Sequence, residues 1–430
     1  MAKTWKNWAG NVVANPAAIE RPSSDSEVVG VVARAVQEGQ SVRVVGSGHS
    51  FTPAVATSGV LMDIGALSGI RSIDRKAGTV TVGAGTTLND LNRLLDAEGL
   101  AMPNLGDIAY QTVAGAISTS THGTGHQIPG LAAQVTALQL VTGNGEVLAA
   151  SGSSNADVLD VARVSVGALG VITECTLNVV DSFALQAHEE PMKLDAVLSR
   201  VNELKTENDH FEFFWIPHTK WALTKRNNRT TEPLQPLPPI KGWIDKTFME
   251  NYAFGVLCKI GRLRPQLIPR LATALPSSGS RTYIDKSYKI FASPRLVRFY
   301  EMEHSLPVDA LPEALREIQK MIDQKGYLLN FPVEVRFTGA DDIPLSTSYG
   351  RESAYIAVHV YKGMEYGPFF TDVENILRHY DARPHWGKIH HRGVEDLAML
   401  YPRFTEFLNM RDRLDPGRTF ANDYTRQIFG

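Results

Sequence analysis

Residues 42–51 read VRVVGSGHSF. Val42, Val44 and Val45 spell a short buried strand, and the chain passes from it directly into Gly46-Ser47-Gly48-His49. A strand that ends in such a turn reverses tightly with its backbone amides turned outward, an arrangement suited to cradling phosphate. Neither of the familiar phosphate loops fits. A Walker loop ends in Gly-Lys-Ser/Thr, and this turn has Gly48-His49-Ser50. A dinucleotide fingerprint requires a third glycine where Phe51 stands, and GAGTTL at 83–88 fails in the same way. Two readings are left level on these residues: amides that hold a pyrophosphate while His49 does separate chemistry, or a turn whose histidine is merely exposed.

A second segment, TVAGAISTSTHGTG (112–125), favours the first. Its small side chains let backbone approach a flat or charged ligand closely, and the hydroxyls of Ser118, Thr119 and Thr121 can bond phosphate or carbonyl oxygens. One such segment reads as a tightly packed helix joint. Two in one domain favour a large dinucleotide.

Around them, strand and helix signals alternate through the first 180 residues. Ser24 and Glu27 have capping-box spacing ahead of a Val28, Val31, Val32, Ala35 and Val36 stripe, and Gly39 suits the helix end. Short strands follow at 59–67, 70–74 and 78–85, then a helix over 86–99 with Leu88, Leu91, Leu94 and Leu95 on one face. Residues 135–148 form a hairpin about Gly143-Asn144-Gly145, and 155–180 a helix, a glycine turn and an apolar strand. The fold class expected is α+β: residues 1–180 as one domain of two small subdomains, and 181–430 as a second α+β domain. Within the latter, 383–430 (RPHWGKIHH through RDRLDPGRTFANDY) returns to the site.

At 430 residues, two domains are the default. Lys and Arg total 43 against 46 Asp and Glu, a net charge of −3, which gives nucleic acid no electrostatic hold. No apolar run spans a bilayer, the opening MAKTWKNWAGN lacks a secretory signal, and only Cys175 and Cys258 occur. A cytoplasmic protein in a reducing compartment is expected. WIDKTFMENYAFGVLCKIGRL (243–263) is apolar enough for peripheral contact with a membrane surface, but a partly buried helix is the better explanation. No G-x-S-x-G or H-E-x-x-H motif occurs. His385, His390 and His391 have no acidic neighbour at ligand spacing, so no metal is expected. VEVR (333–336) places Glu334 and Arg336 on one face of a strand, which by itself describes many surface ion pairs.

The whole chain resembles the sugar-1,4-lactone oxidases of the vanillyl-alcohol-oxidase flavoprotein superfamily. The likeness is carried by NWAGN, VRVVGSGHS, GLAMPNLGDIAYQTVAGAISTSTHGTG, NADVLDVARVSVGALGVI, FEFFWIPHT, FPVEVRFTGADDIPLS, RPHWGK and RDRLDPGRTF. It implies a PCMH-type FAD-binding domain at 1–180 with a substrate-binding cap beyond. It also implies FAD bound covalently, through its 8α-methyl, to His49. The implied cofactor contacts are Val45, Gly46, Ser47, Gly48 and Ser50, then Pro103, Asn104 and Gly106, then Thr112, Val113, Gly115, Ser118, Thr119, Thr121, His122 and Gly123. Gly170, Val171, Ile172, His385 and Lys388 complete them. Glu334, Arg336 and Lys388 are the implied catalytic residues, and Asp107, His359 and Tyr361 join them at the substrate. The implied reaction oxidises an aldono-1,4-lactone at C2, with L-gulono-1,4-lactone foremost, towards ascorbate or an analogue.

Related alditol oxidases carry serine where Asp107 stands and His-x-Thr in place of His359-Val360-Tyr361, which makes xylitol or sorbitol the weaker alternative. Gly106 leaves room for O₂ beside the flavin, and a cytochrome, quinone or dye is the other acceptor class. UDP-N-acetylenolpyruvoylglucosamine reductases share the fold but lack the turn histidine.

Overall fold

Val60–Asp63 is flanked on both sides by parallel partners, Ala18–Glu20 and Val42–Val45, and this three-stranded sheet presents the 46–50 turn at its end. In the computed structural model the described residues are 4–238, 240, 242, 249, 251–273 and 279–430. A second, antiparallel sheet lies alongside in the order Val147–Ser151, Val135–Val141, Val171–Asn178, Thr79–Gly83, Ile70–Asp74. Helix Asp25–Gln37 starts where Ser24 accepts the Glu27 amide, and it buries Val28, Val31, Val32 and Ala35. Helix Leu88–Ala97 buries Leu88, Leu91 and Leu95, but Leu94 is 40% exposed, contrary to the four-leucine stripe expected. At 3.6 residues per turn Leu94 projects about 90° from the centre of the other three.

Beyond residue 181 the chain builds one eight-stranded antiparallel sheet. Its order is Arg281–Lys286, Ala184–Lys193, Trp221–Thr230, His210–Trp215, Val333–Thr338, Ser353–Tyr361, Phe299–Pro307, Arg383–Pro384. Helices Leu311–Lys325 and Gly367–Arg378 cover one face, burying Leu315, Ile318, Phe370 and Val373 in a core of their own. The other face looks back at the 112–125 segment. That segment is stitched to the sheet by the Gly125 amide on the Phe337 carbonyl (2.8 Å) and by the Thr124 hydroxyl on the Phe211 carbonyl.

Of the apolar stretch at 243–263, residues 243–248 and 250 lie outside the described residues, and Phe254–Leu263 is helical. The last three helices, Val394–Leu400, Phe404–Leu414 and Asp423–Phe429, leave the large sheet and return to the first core. There Leu397, Phe407, Phe420 and Phe429 pack in one cluster with Val42, Met62 and Leu140.

Arg43 locks that return. It is 1% exposed, and its guanidinium donates to the carbonyls of Ala54 (2.7 Å), Val166 (2.8 Å), Gly167 (3.1 Å) and Phe420. Burial pulls it down to about 10, and Asp415 opposes the shift. Asp415 itself receives the Thr419 and Phe420 amides (2.8 and 2.9 Å). Arg43→Met should therefore leave several buried carbonyls unpaired and cost at least ~3 kcal/mol, at about 1–3 kcal/mol for each orphaned group. The urea midpoint reads this directly; a loss under ~1 kcal/mol would mean that water replaces the guanidinium.

Candidate active site

The turn after Val45 has no room for a side chain at Gly46, where a Cβ would lie 2.1 Å from the Thr112 hydroxyl. Gly48 takes φ +65°, which glycine adopts without strain. The two glycines bring the His49 ring between aromatic faces, 4.9 Å from Trp8 at 22° and 6.3 Å from Tyr110 at 7°. Burial, with Lys388 nearby, lowers the imidazole to about 4. His49 thus stands neutral at physiological pH, and a neutral imidazole keeps a lone pair free to form a bond.

Two cavities share His49, Ser50, Gln111 and Thr119 in their walls. The smaller, about 100 Å³, is a slot lined by Val45 through Ser50, Thr112, Gly115, Ser118, Gly170 and Ile172. Glycine backbone and hydroxyls stand among apolar side chains in its walls, with no acidic side chain among its lining residues, as a diphosphate requires. The larger, about 610 Å³, runs from His49 to the eight-stranded sheet.

Charge fills the inner end of that larger cavity. Arg336 is buried, its Nε 2.6 Å from Glu334 and 2.9 Å from Glu212. Burial works against its charge, and the two carboxylates outweigh burial and hold the guanidinium above its ordinary value. Lys388 is paired with Glu301 and lies 5.3 Å over the Phe51 ring. Glu301 also has His359 Nε2 at 3.5 Å, and Glu303 has His122 Nε2 at 3.2 Å. Burial opposes ionisation of both carboxyls. Lys388 and His359 nonetheless bring Glu301 down to about 2, and His122 brings Glu303 well below the usual range.

His385 is buried and falls to about 3, chiefly by desolvation; its Nδ1 accepts the Gly387 amide (3.0 Å). Ligating atoms of His122, Glu303 and His385 come within 4.8 Å of one another. The contacts just described already engage all three of those side chains.

The structure brings most of the expected residues to these walls. Val45 through Ser50, Thr112, Gly115, Ser118, Thr119, Gly170 and Ile172 line the slot. Gly106, Asp107, Thr121, His122, Glu334, Arg336, His359, His385 and Lys388 line the large cavity. Pro103, Asn104, Val113, Gly123 and Val171 line neither. Asn104 instead bonds the Thr124 carbonyl (3.2 Å), and Gly123 packs against Asn104 so closely that a Cβ would meet its Oδ1 at 2.6 Å. Tyr361 also stands outside the cavity wall, stacked on Phe331 at 6.4 Å.

Asp107 is at the wall, but its carboxylate is taken by Arg295 and by the Ser293 hydroxyl (3.3 Å). Arg295, Glu301, Glu303, Lys225 and Arg281 line the cavity without having been singled out by the sequence motifs. For Glu301 and Glu303 the one signal is the period-two EME of 301–303, which a solvated strand shows equally well.

Residues 175–428 match the family model described as D-arabinono-1,4-lactone oxidase, and residues 16–151 match that described as FAD binding domain. The chain belongs to the D-arabinono-1,4-lactone oxidase family. Within the family it is 42% identical to the L-gulono-1,4-lactone dehydrogenase of Mycobacterium tuberculosis, with 100% of both chains covered. It is 34% identical to the L-gulonolactone oxidase of Bos taurus, over 99% of this chain and 98% of the relative. A crystal structure of cholesterol oxidase from B. sterolicum superposes with a TM-score of 0.85 at 16% identity, covering 100% of this chain and 97% of that one. At that identity the likeness shows the PCMH-type α+β fold alone. Family membership makes the chain a flavin-dependent oxidoreductase acting on CH–OH groups, and the slot fits the cofactor that its FAD-binding domain implies.

His385 links the site to acid stability. A histidine held near 3 in the fold and titrating at its ordinary value of 6.5 when unfolded takes up its proton only on unfolding, so stability falls as pH drops from 6.5 towards 3. Between pH 7 and 5 this amounts to about 2 kcal/mol. Denaturation of His385→Asn at the two pH values should show a pH difference smaller by about that amount; an undiminished difference would place the titration elsewhere.

Proposed function

We propose that this protein oxidises the C2 hydroxyl of an aldono-1,4-lactone, L-gulono-1,4-lactone foremost, to the 2-keto lactone, which enolises to ascorbate or an analogue. The observation that carries the reading is the position of His49. Its neutral ring stands where a phosphate-sized slot meets a cavity whose walls hold Glu334, Arg336 and Lys388. The family relatives named for gulonolactone and arabinonolactone support the substrate class.

FAD would lie along the slot on the 46–50 and 112–119 backbones, tethered at His49, and it supplies the acceptor for the substrate's hydride. The other work falls to the chain's own side chains. Glu334 accepts a hydrogen bond from the reacting hydroxyl and so orients it. Arg336, fixed by two carboxylates, and Lys388, fixed by Glu301, present rigid positive charge to oxygens that gain negative charge as the C–H bond breaks. Arg295, held by Asp107, adds a second guanidinium for the lactone's ring oxygen or carbonyl. Gly106 lines the cavity, where a Cβ would press on the His122 carbonyl at 3.1 Å; the acceptor proposed for the electrons is O₂, with a cytochrome or quinone the alternative.

If the tether is real, denatured wild-type protein keeps a yellow band that His49→Ala loses. Release of all flavin from denatured wild type would remove it. Anaerobic flavin bleaching by a panel of lactones and polyols tests the substrate: L-gulono-1,4-lactone should outpace xylitol and sorbitol, and the reverse order would make this an alditol oxidase. In the same assay Arg336→Ala should slow reduction on the order of 10²–10³-fold.

A separate experiment addresses Arg295. Arg295→Gln should raise KM for lactones by about tenfold, equivalent to the ~1.4 kcal/mol of one charge-assisted hydrogen bond, and leave the weaker polyol oxidation nearly unchanged. Equal losses on both substrate classes would make Arg295 merely structural.

A further inference from the structure

The cavity-facing side of the eight-stranded sheet changes character along its strands. Glu334, Ala357 and Glu303 stand side by side in one cross-strand row, and His359 with Glu301 in the next. Phe299 follows two residues on, on the same side as Glu301 and Glu303. Four residues of strand separate Glu303 from Phe299, about 13 Å. That span exceeds a five-membered lactone ring with a two-carbon tail. Beyond it the walls are apolar. The Phe331 ring lies 5.3 Å from Phe299 and 4.9 Å from Phe254. Phe254 and Leu257 share one face of helix Phe254–Leu263 and line the cavity. Val297 abuts that helix at Gly255 and Ile268 abuts it at Gly261, where added Cβ atoms would meet them at 3.4 and 3.0 Å. Leu271 stands one turn on from Ile268 and lines the cavity too. The two asparagines among the lining residues are engaged by protein. Asn330 Nδ2 donates to the Cys258 carbonyl (3.3 Å), and Asn251 donates to the Pro294 carbonyl (3.1 Å) and accepts the Leu296 amide (2.7 Å).

We propose that this apolar compartment is a subsite for an acyl group carried on the tail of the lactone, so that the enzyme oxidises tail-acylated aldono-1,4-lactones as well as the free sugar lactones. The inference rests on the reading of C2 as the reacting carbon. In a 1,4-lactone the side chain on C4 lies across the ring from C2. With C2 held among Glu334, Arg336 and Lys388, a tail directed along the strands passes Phe331 and enters the apolar walls. A terminal hydroxyl there would give up water for aromatic and aliphatic carbon, with both asparagine side chains already engaged. An ester on that hydroxyl removes the stranded donor, and its alkyl chain exchanges water for apolar contact. The chemistry at C2 is unaltered. The C–H hydride passes to the flavin, the hydroxyl proton to a base of the site, and the ester bond stays intact, which yields the acylated 2-keto lactone.

Anaerobic rapid mixing of the holoenzyme with L-gulono-1,4-lactone and with its 6-O-acetyl, 6-O-butanoyl and 6-O-hexanoyl esters tests it. The concentration dependence of flavin bleaching gives a Kd and a limiting rate for each. Along the ester series Kd should fall roughly two- to fourfold for each added CH₂, with the limiting rate nearly constant, because the chain binds equally in ground and transition states. L257Q/L271Q should abolish the dependence on chain length while the free lactone keeps its Kd and rate, which also checks the fold. Leu257→Trp, which fills the compartment instead of making it polar, should reject the hexanoyl ester and still accept the free lactone. A Kd that is flat or rises along the series overturns the proposal, and so does a gain that L257Q/L271Q retains. Either result leaves the lactone reading standing if the free lactone bleaches the flavin. Failure of the free lactone and all its esters to do so overturns both.

Discussion

Two carboxylates set the terms for the rest of the site. Glu301 and Glu303 alternate along Phe299–Pro307, so both project from the same face, and both are buried. An ionised carboxylate removed from water costs several kcal/mol unless it is paired and hydrogen-bonded. The partners here come from three distant parts of the chain: His122 from the glycine-rich segment, His359 from the neighbouring strand, and Lys388 from the C-terminal return. His122 and His359 each direct the second ring nitrogen at a backbone carbonyl, of Gly123 (2.9 Å) and Pro332 (3.1 Å). The FAD-binding half and the substrate half of the molecule thus meet through the neutralisation of one strand.

The loop that delivers Lys388 is held from both sides of that strand. On the inner side the His385 amide donates to the Glu303 carbonyl (3.0 Å) and the Ile389 amide to the Glu301 carbonyl (2.9 Å). On the outer side Glu374, from helix Gly367–Arg378, receives the His391 amide (3.1 Å) and Nδ1 (2.8 Å) and lies 3.4 Å from His304. Burial raises the cost of charge on Glu374, but the two histidines hold it far below the usual carboxylate range. A lysine on a surface loop would be a mobile point charge. Here the backbone on either side of Lys388 is fixed, which is what the role proposed for it in electrostatic stabilisation would require.

Local chemistry was the part of this arrangement that the sequence displayed. A strand followed by two glycines and His49 could be read because the turn must form from those residues wherever the rest of the chain lies. Glu334 and Arg336 could be placed on one face by strand period alone, and their 2.6 Å contact is the result. Glu301 and Glu303 could not, because acid at alternate positions reads as a solvated face. Only the docking of 383–392 over the strand, together with the 112–125 segment, makes that face an interior. Arg295 was hidden for a related reason: it lies in an irregular stretch just before the strand, and its partner Asp107 is 188 residues away. From sequence, 383–430 reads as a return towards the site, and the packing of Leu397, Phe407 and Phe429 in the first core is what the structure adds.

The pairing of charges also bears on the form of the substrate. The cationic groups of Arg295, Arg336, Lys388, Arg281 and Lys225 line the cavity, and each already has a carboxylate partner: Asp107, Glu334 with Glu212, Glu301, Glu189 and Glu212 respectively. An open-chain sugar acid would bring a further carboxylate next to Glu301, Glu303 and Glu334 with no free cation to receive it, a costly burial. A lactone is the same carbon skeleton with that charge removed by ring closure. It offers hydroxyls, a carbonyl and a ring oxygen, which ion-paired guanidinium and carboxylate groups can still hydrogen-bond through their remaining donors and lone pairs. Charges balanced internally favour a neutral, polyhydroxylated substrate over a sugar acid, and the pairing of Asp107 with Arg295 is part of that balance.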